Sequence, residues 1–395
     1  MKDPKYQIIQ GNTLDILKKL PDNSIHCCVT SPPYFNLRSY LPSDHADKHN
    51  EIGSEKSPEE YVEKMVELFR EVRRVLREDG TCWLNIGDSY ANDKGGRGKY
   101  PASKKQCSNK GSMFEEFTKW EHSSIKKGDM IGIPWSLAFA LREDGWYLRS
   151  DIIWHKKNVM PSSVKNRPTS SHEHVFLLTK NSKYFYDYFS IVEPVAKESK
   201  QRYEYSFGGK KNKTLKENNN PTAIVGDREY KPYKNKRDVW IINNKPFRKA
   251  HFAVMPIELA ETCIKAGSSE KGCCPECGSP MNRILDKKRI ATRPGKNNKK
   301  DITKMANLDP QRHIAVYGGE DKWVIDCEHY FSDTEPCLVL DPFSGAGTTG
   351  VAAVRNGRSY IGIELNKEYI YITKERFKKI DPLVIEEKNI FDIGE

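Results

Sequence analysis

The chain has 395 residues, 37% hydrophobic and 30% charged, enough to bury a sizeable core under a very polar surface. No stretch approaches the ~18 consecutive apolar residues of a membrane-spanning helix, and the opening residues Met1 to Gln7 lack the apolar centre of a secretory signal, so a membrane protein is excluded and the cytoplasm is the expected location. Lys plus Arg number 65 against 54 Asp plus Glu, a net charge of +11 that favours polyanionic partners.

Tyr6 to Gln10 and Ile25 to Thr30 are short β-leaning runs, with helical spacing between them from Thr13 to Leu20. Ser57-Pro58-Glu59-Glu60 sets a serine cap and a first-turn proline ahead of an amphipathic helix running to about Arg77. Glu78-Asp79-Gly80 is expected to stop it, and Thr81 to Ile86 to form the next strand. Residues 89 to 130 lose periodicity around Gly95-Gly96-Arg97-Gly98-Lys99 and Lys104-Lys105, which predicts a mobile basic loop. A helix over Ile133 to Leu141 and strands over Trp146 to Trp154 and Val175 to Thr179 follow. Gln201 to Asp238 is rich in Lys, Asn, Gly and Tyr and cannot build a core by itself. Leu259 to Ala266 is helical. The end is regular: a strand from Cys337 to Leu340, a glycine turn, a helix to about Val354, a strand from Tyr360 to Glu364, and a helix from Lys367 to Lys379. The pattern is α/β.

Asp341-Pro342-Phe343-Ser344-Gly345-Ala346-Gly347-Thr348-Thr349-Gly350 carries G-x-G-x-x-G directly after a strand and opening a helix, with Glu364 at the end of the next strand. That is the layout of a nucleoside-binding βαβ unit, in which glycines admit a ligand to the backbone and a carboxylate accepts ribose hydroxyls. A carboxylate at Asp341 would repel the pyrophosphate of a dinucleotide but suits a cation. S-Adenosylmethionine has a ribose for Glu364, an adenine for an apolar neighbour such as Ile363 or Phe343, and an ammonium for Asp341, so it is favoured over NAD. Only some thirty residues follow Glu364, so the strands flanking this turn must come from the N-terminal block.

Ile25 to Thr30 ends in Ser31-Pro32-Pro33-Tyr34. Prolines stop a strand in a rigid corner whose carbonyls are not used by a ladder, and a bare Pro-Pro also serves as a mere terminator. Such a corner has acceptors for an exocyclic amino group, the Ser31 hydroxyl and Pro32 carbonyl, and an aromatic face at Tyr34.

Thr30-Ser31-Pro32-Pro33-Tyr34 followed far downstream by Asp341-Pro342-Phe343-Ser344-Gly345-Ala346-Gly347 resembles the amino-methylating DNA methyltransferases of the permuted β-group, and the Ser-Pro-Pro-Tyr form resembles the N4-cytosine enzymes more than the N6-adenine ones. The resemblance extends through the pre-catalytic segment beginning Gly11-Asn12-Thr13, Trp83 to Asp88, Gly145 to His155, Arg167 to Glu173, and His251-Phe252 to Pro256, a segment similar to one that closes over the methionine end of the cofactor. Many relatives carry Asp where this chain has Asn12, so a contact near the adenine ring would be made by an amide. The resemblance implies a Rossmann-like, S-adenosylmethionine-dependent methyltransferase sheet with circularly permuted motif order and an inserted target-recognition region. It also implies double-stranded DNA as partner, association with the nucleoid, and a restriction-modification setting with a possible companion endonuclease. Ser31, Pro32, Pro33 and Tyr34 would be catalytic, acting on a flipped base by direct transfer; Asp341, Phe343, Gly345, Gly347, Thr348, Glu364, Asn12, His251 and Phe252 would hold the cofactor. Asp88 and His155 are the residues to test for the departing proton. Adenine N6 is the alternative target; methylation of RNA or of a protein glutamine, or a non-catalytic nucleic-acid binder with a vestigial cofactor fold, are the rivals.

The ten cysteines read as thiols or metal ligands before disulfides. Cys274-Pro275-Glu276-Cys277-Gly278 is half a structural zinc site, with Cys327 and His329 the best second half and Cys337 or Cys273 as substitutes. The expected organisation is a catalytic N-terminal part over 1–190, a recognition region over 191–240 with 279–322 as second choice, a cofactor-closing segment over 241–267, a cysteine-knuckle insertion over 268–335, and a cofactor-binding part over 336–395. Monomer and homodimer both remain open.

Overall fold

The computed structural model describes residues 1–37, 46–93, 119–159, 161–162, 164–196, 233–244, 254–284, 287–291, 313–317, 322–380, 386–387 and 390–391. Most of the expected basic loop, residues 201–232, the Gly295 to Lys300 run, His251 and Phe252 lie outside the described residues. The chain divides into two units, one of Met1–Asp187, Arg237–Met281 and Ile325–Glu395, the other of Tyr188–Lys236 and Asn282–Val324.

In chain order the strands are β1 (Lys5–Gln10), β2 (Ile25–Thr30), β3 (Leu76–Ile86), β4 (Tyr147–His155), β5 (His172–Thr179), β6 (Glu193–Pro194), β7 (Tyr233–Lys234), β8 (Val239–Ile241), β9 (Asn282–Ile284), β10 (Lys287–Ala291), β11 (His313–Tyr317), β12 (Lys322–Val324), β13 (Leu338–Asp341), β14 (Ser359–Glu364) and β15 (Glu386–Glu387). The helices are α1 (Thr13–Lys19), α2 (Pro58–Val75), α3 (Ile133–Glu143), α4 (Ile257–Gly267), α5 (Thr348–Arg355) and α6 (Lys367–Phe377). None of the described helices is long and apolar enough to cross a membrane.

The first unit is built on a nine-stranded sheet of order β15-β1-β14-β13-β2-β3-β5-β4-β8. Every neighbouring pair is parallel except the two that β5 makes with β3 and β4. Sequence order is broken at the centre, where Val339 and Leu340 of β13 sit opposite Cys27 and Cys28 of β2. The chain leaves β13 through α5 towards β14 and leaves β2 through α2 towards β3, so the two connections diverge and open a crevice at the carboxyl ends of β13 and β2, where open α/β sheets bind ligands.

Local chemistry explains the elements that frame this crevice. Ser57 Oγ accepts the Glu60 N–H at 3.2 Å and Pro58 starts α2, whose buried face repeats as Tyr61, Met65, Leu68, Phe69, Val72 and Val75. Asn12 caps α1 by accepting Leu14 N–H at 2.9 Å. All six residues of β2 are buried, as a central strand of a sheet covered on both faces requires.

Two expectations needed adjustment. The α2 helix ends at Val75, and Leu76 is already extended and paired with Ile25, so β3 starts five residues earlier than expected; Glu78-Asp79-Gly80 is absorbed as an irregularity between the Ile25–Leu76 and Cys27–Thr81 pairs. The three-residue strand β8, unanticipated in a polar stretch, adds to β4 and buries Trp240, whose indole N–H donates to Arg237 O at 2.7 Å.

Among its described residues the second unit has three antiparallel ribbons, β6–β7, β9–β12 and β10–β11. Within it the Arg283 guanidinium lies 5.6 Å from the Phe189 ring centre and 4.6 Å from that of Trp323.

Candidate active site

At the end of β2, Thr30 Oγ1 donates to Asp341 Oδ1 at 2.7 Å, and Thr349 at the start of α5 donates to Val29 O at 3.1 Å. These bonds tie the end of β2 to the end of β13. Past Thr30 the prolines turn the chain out of the sheet, and the Tyr61 hydroxyl fixes the corner by donating to Pro33 O at 2.9 Å. Ser31 and Pro32 remain as acceptors the corner can present.

The glycine turn is built from the other side. Gly345 and Gly347 have φ of 51° and 72°, the left-handed region in which a side chain is strained. A Cβ on Gly347 would sit 2.3 Å from Thr373 Cγ2, so α6 packs directly on this backbone. Gly345 differs: a Cβ there would meet only Phe343 O at 3.9 Å, leaving the space beside its backbone open. Its N–H donates to Glu364 Oε2 at 2.7 Å, and Glu364 Oε1 accepts Asn366 N–H at 2.8 Å.

The corner and the turn line one cavity of about 510 Å³. Ser31, Pro32, Pro33 and Tyr34 border it, and so do Asn12, Asp341, Phe343, Gly345, Thr348 and Glu364. Gly347 lies behind the lining and caps α5. Asn12 spends its carbonyl oxygen on α1, so only its amide N–H groups remain for a ligand.

Burial pushes the Asp341 carboxyl up to about 6, against the opposing hydrogen bonds from the Thr30 hydroxyl and Phe343 N–H. Burial likewise lifts Glu364 to about 7, opposed by the N–H groups of Asn366 and Gly345. Both values lie above those of the unfolded chain, so the fold favours the protonated carboxyls. Their contribution to stability is fully present at low pH and is lost as pH rises through about 6 and about 7.

Asn85, Trp154, Lys156 and Glu173 also line the cavity, and none was marked from sequence as a site residue. They lie on β3, β4 and β5 and the residue following β4, and converge only through the antiparallel pairing of β5. Asp88, by contrast, is committed to the start of α3, where it accepts Gly132 N–H at 2.9 Å and Ile133 N–H at 3.1 Å. His155 is not part of the lining.

Apart from the cavity, the ligand atoms of Cys274, Cys277, Cys327 and His329 lie within 4.8 Å of one another, with Cys274 Sγ 3.7 Å from His329 Nδ1. Zinc–ligand bonds of ~2.0–2.3 Å hold tetrahedral ligands slightly closer than this, so these four side chains could hold a metal ion after a small contraction. Cys273 and Cys337, the substitutes, group instead with His26. His26 spends both ring nitrogens, one on Gly278 O at 2.8 Å and one on Leu338 N–H at 3.1 Å, so that trio is a packing cluster and not a cage.

An open, mainly parallel sheet, a glycine turn leading into a helix, an acid at the next strand end and a proline corner in the same crevice define a nucleoside-cofactor enzyme of the methyltransferase class. The family model of the N6/N4 methyltransferases, described as DNA methylase, matches residues 25–274 and 333–375, and the chain belongs to this family. It is 35% identical over 378 residues to the Type II methyltransferase M.Cfr9I of Citrobacter freundii, covering 96% of this chain and 89% of that protein. It is 35% identical over 370 residues to M.SmaI of Serratia marcescens, covering 94% and 90%. Among solved structures it is similar to the PvuII DNA methyltransferase (cytosine-N4-specific), at 16% identity and a TM-score of 0.49 over 96% of this chain and 90% of that one. The protein is thus a DNA methyltransferase with S-adenosylmethionine as methyl donor. The open backbone at Gly345 and the carboxylate at Glu364 fit that donor's nucleoside end.

Proposed function

We propose that the protein methylates the exocyclic amino nitrogen of a base flipped out of duplex DNA, with cytosine N4 as the first choice and adenine N6 as the second. We assign it to the permuted β-group, Ser-Pro-Pro-Tyr type. The observation that carries this reading is the shared cavity of the proline corner and the glycine turn. S-Adenosylmethionine supplies a methyl group on a sulfonium. Ser31 and Pro32 accept the N–H groups of the target, which keeps its lone pair on nitrogen instead of in the ring. Tyr34 supports the flipped ring, and the corner's rigidity supplies orientation. Glu364 accepts the ribose hydroxyls, Phe343 packs on the adenine, Asn12 and Thr348 border it, and Asp341 anchors the turn and faces the ammonium; His251 and Phe252, outside the described residues, keep the methionine-end role only as the resemblance implies it. Transfer would form the N–C bond as the C–S bond breaks with its electron pair left on sulfur, and the methylated nitrogen would release one proton to water.

Both candidate recognition segments, 191–240 and 279–322, fall largely within the second unit. A double-stranded DNA partner at the nucleoid and a companion endonuclease complete the proposal, supported by the Type II names of the relatives. Purified protein should transfer labelled methyl from S-adenosylmethionine to unmethylated bacteriophage DNA; label confined to RNA or protein would reject the reading.

Ribose recognition needs the ionised form of Glu364, whose value is about 7. Cofactor affinity measured by calorimetry should therefore increase several-fold from pH 6 to pH 8, and Glu364→Gln should bind weakly with most of that increase lost, the remainder belonging to Asp341, whose value is about 6. A wild-type affinity that does not vary with pH would remove Glu364 from the ribose.

The knuckle, we propose, holds one structural zinc through Cys274, Cys277, Cys327 and His329. Arg77 donates to Cys277 O at 2.7 Å and His26 bonds Gly278 O, so this metal would clasp the amino-terminal ends of β2 and β3. Elemental analysis should find about one equivalent, and chelation should lower the melting temperature. A metal-free protein with unchanged melting would contradict the assignment.

A further inference from the structure

Behind Ser31 and Tyr34 lies a polar group that the proposed chemistry has not used. The Tyr34 hydroxyl donates to Glu173 Oε2 at 2.7 Å. The Asn85 amide nitrogen reaches Glu173 Oε2 at 3.1 Å, Tyr34 Oη at 2.9 Å and Ser31 Oγ at 3.1 Å. Lys156 pairs with the other oxygen of Glu173, and its ammonium stands 4.2 Å from the centre of the Trp154 ring. Glycine at 87 makes this convergence possible, since a Cβ there would lie 2.8 Å from Tyr34 Cε2 and 3.2 Å from Glu173 Cγ.

The directions of these bonds follow from one fact: an ionised carboxylate can only accept. Paired with Lys156, Glu173 takes the Tyr34 hydrogen, which commits that hydrogen and leaves Tyr34 Oη an acceptor. It also fixes the Asn85 amide with its NH₂ towards the corner, because the opposite orientation would set two oxygens against each other. The Asn85 carbonyl oxygen is left buried without a hydrogen-bond partner, so the orientation of this amide is set from its nitrogen side, by Glu173, Tyr34 and Ser31. Ser31 Oγ receives an Asn85 hydrogen and keeps a lone pair. The corner therefore presents oxygen acceptors and no fixed hydrogen, the complement of an amino group and a poor match for a carbonyl oxygen.

We propose that Glu173 is a positioning and specificity-determining residue: through Tyr34 and Asn85 its carboxylate sets the hydrogen-bond polarity of the corner, so that an amino-bearing base is accepted and a keto-bearing base is refused. This rests on the amino-methyltransferase reading above. A purely structural tie between β3 and β5 would depend on the shape of the side chain and not on its inability to donate, and that difference makes the two separable.

The test compares the full-length wild type with Glu173→Gln, Glu173→Asp and Tyr34→Phe in single-turnover transfer of labelled methyl to unmethylated bacteriophage DNA at saturating cofactor. Gln matches Glu in shape but carries hydrogens; Asp is shorter but only accepts. The expected order of rates is wild type, then Asp, then Gln, with Gln at least about 30-fold slow and cofactor affinity within twofold of wild type, and with Tyr34→Phe also slowed. Gln at the wild-type rate, or faster than Asp, overturns the role of Glu173 while leaving the methyltransferase reading intact. A wild type that transfers no label to DNA fails that reading and takes this inference with it.

Discussion

Ser31→Ala should reduce methyl transfer by about 10²–10³-fold at saturating cofactor while leaving cofactor affinity within twofold of wild type. The hydroxyl stands at the end of β2, in the lining of the cavity, and receives an Asn85 hydrogen at 3.1 Å. Removing it takes away an acceptor whose value increases as the target nitrogen gains positive charge, so the loss belongs to the rate and not to binding. Asn85 would also lose one of its partners, a smaller structural cost that a melting curve would register. Single-turnover kinetics beside calorimetry separates the two quantities, and an equal loss of rate and affinity would contradict the role given to Ser31.

Gly347→Ala should lower stability by about 2–4 kcal/mol and weaken cofactor binding with it. Two independent penalties coincide at this position. Its φ of 72° lies in the left-handed region, where a Cβ costs ~1–2 kcal/mol. The same Cβ would fall 2.3 Å from Thr373 Cγ2, and Thr373 cannot retreat freely because its hydroxyl donates to Gly345 O at 3.0 Å. Any relief therefore displaces the turn that borders the cavity. Thermal unfolding and cofactor titration should move together; an unchanged melting temperature would show the turn to be more pliant than its packing implies.

Much of the frame was legible because local signals agreed with the fold. Ile25 to Thr30 has the continuous β-branched and apolar run of a buried strand, Ser57 and Pro58 start a helix by themselves, and the glycines of 345–350 constrain the backbone whatever surrounds them. That N-terminal strands flank the turn followed from counting, since too little chain remained after Glu364, whereas the pairing of β13 with β2 in particular is seen only in the fold. What escaped notice depended on pairing between distant strands. Asn85 and Glu173 are 88 positions apart and meet because β3 and β5 run antiparallel with Ile86 opposite His174. Neither residue carries a local pattern distinguishing it from an ordinary polar residue near a strand end. β8 escaped for a different reason: three residues between lysines and asparagines have no periodicity, and only the burial of Trp240 beside β4 marks them as a strand. The metal cluster lay between these cases, since Cys274 and Cys277 announce half a site by their spacing, whereas Cys327 and His329 were the preferred second half among several thiols and the fold brings them, not Cys273 or Cys337, to that half.

The most direct measurement is the nucleoside content of DNA from cells expressing the protein, digested completely and analysed by mass spectrometry beside DNA from cells expressing Ser31→Ala. N4-methylcytosine with the wild type, and its absence with the variant, is the expected result; N6-methyladenine in the same pattern would move the target to the second choice. Methylation at ring carbon, no methylated base at all, or equal methylation by both proteins would contradict transfer at the corner formed by Ser31-Pro32-Pro33-Tyr34.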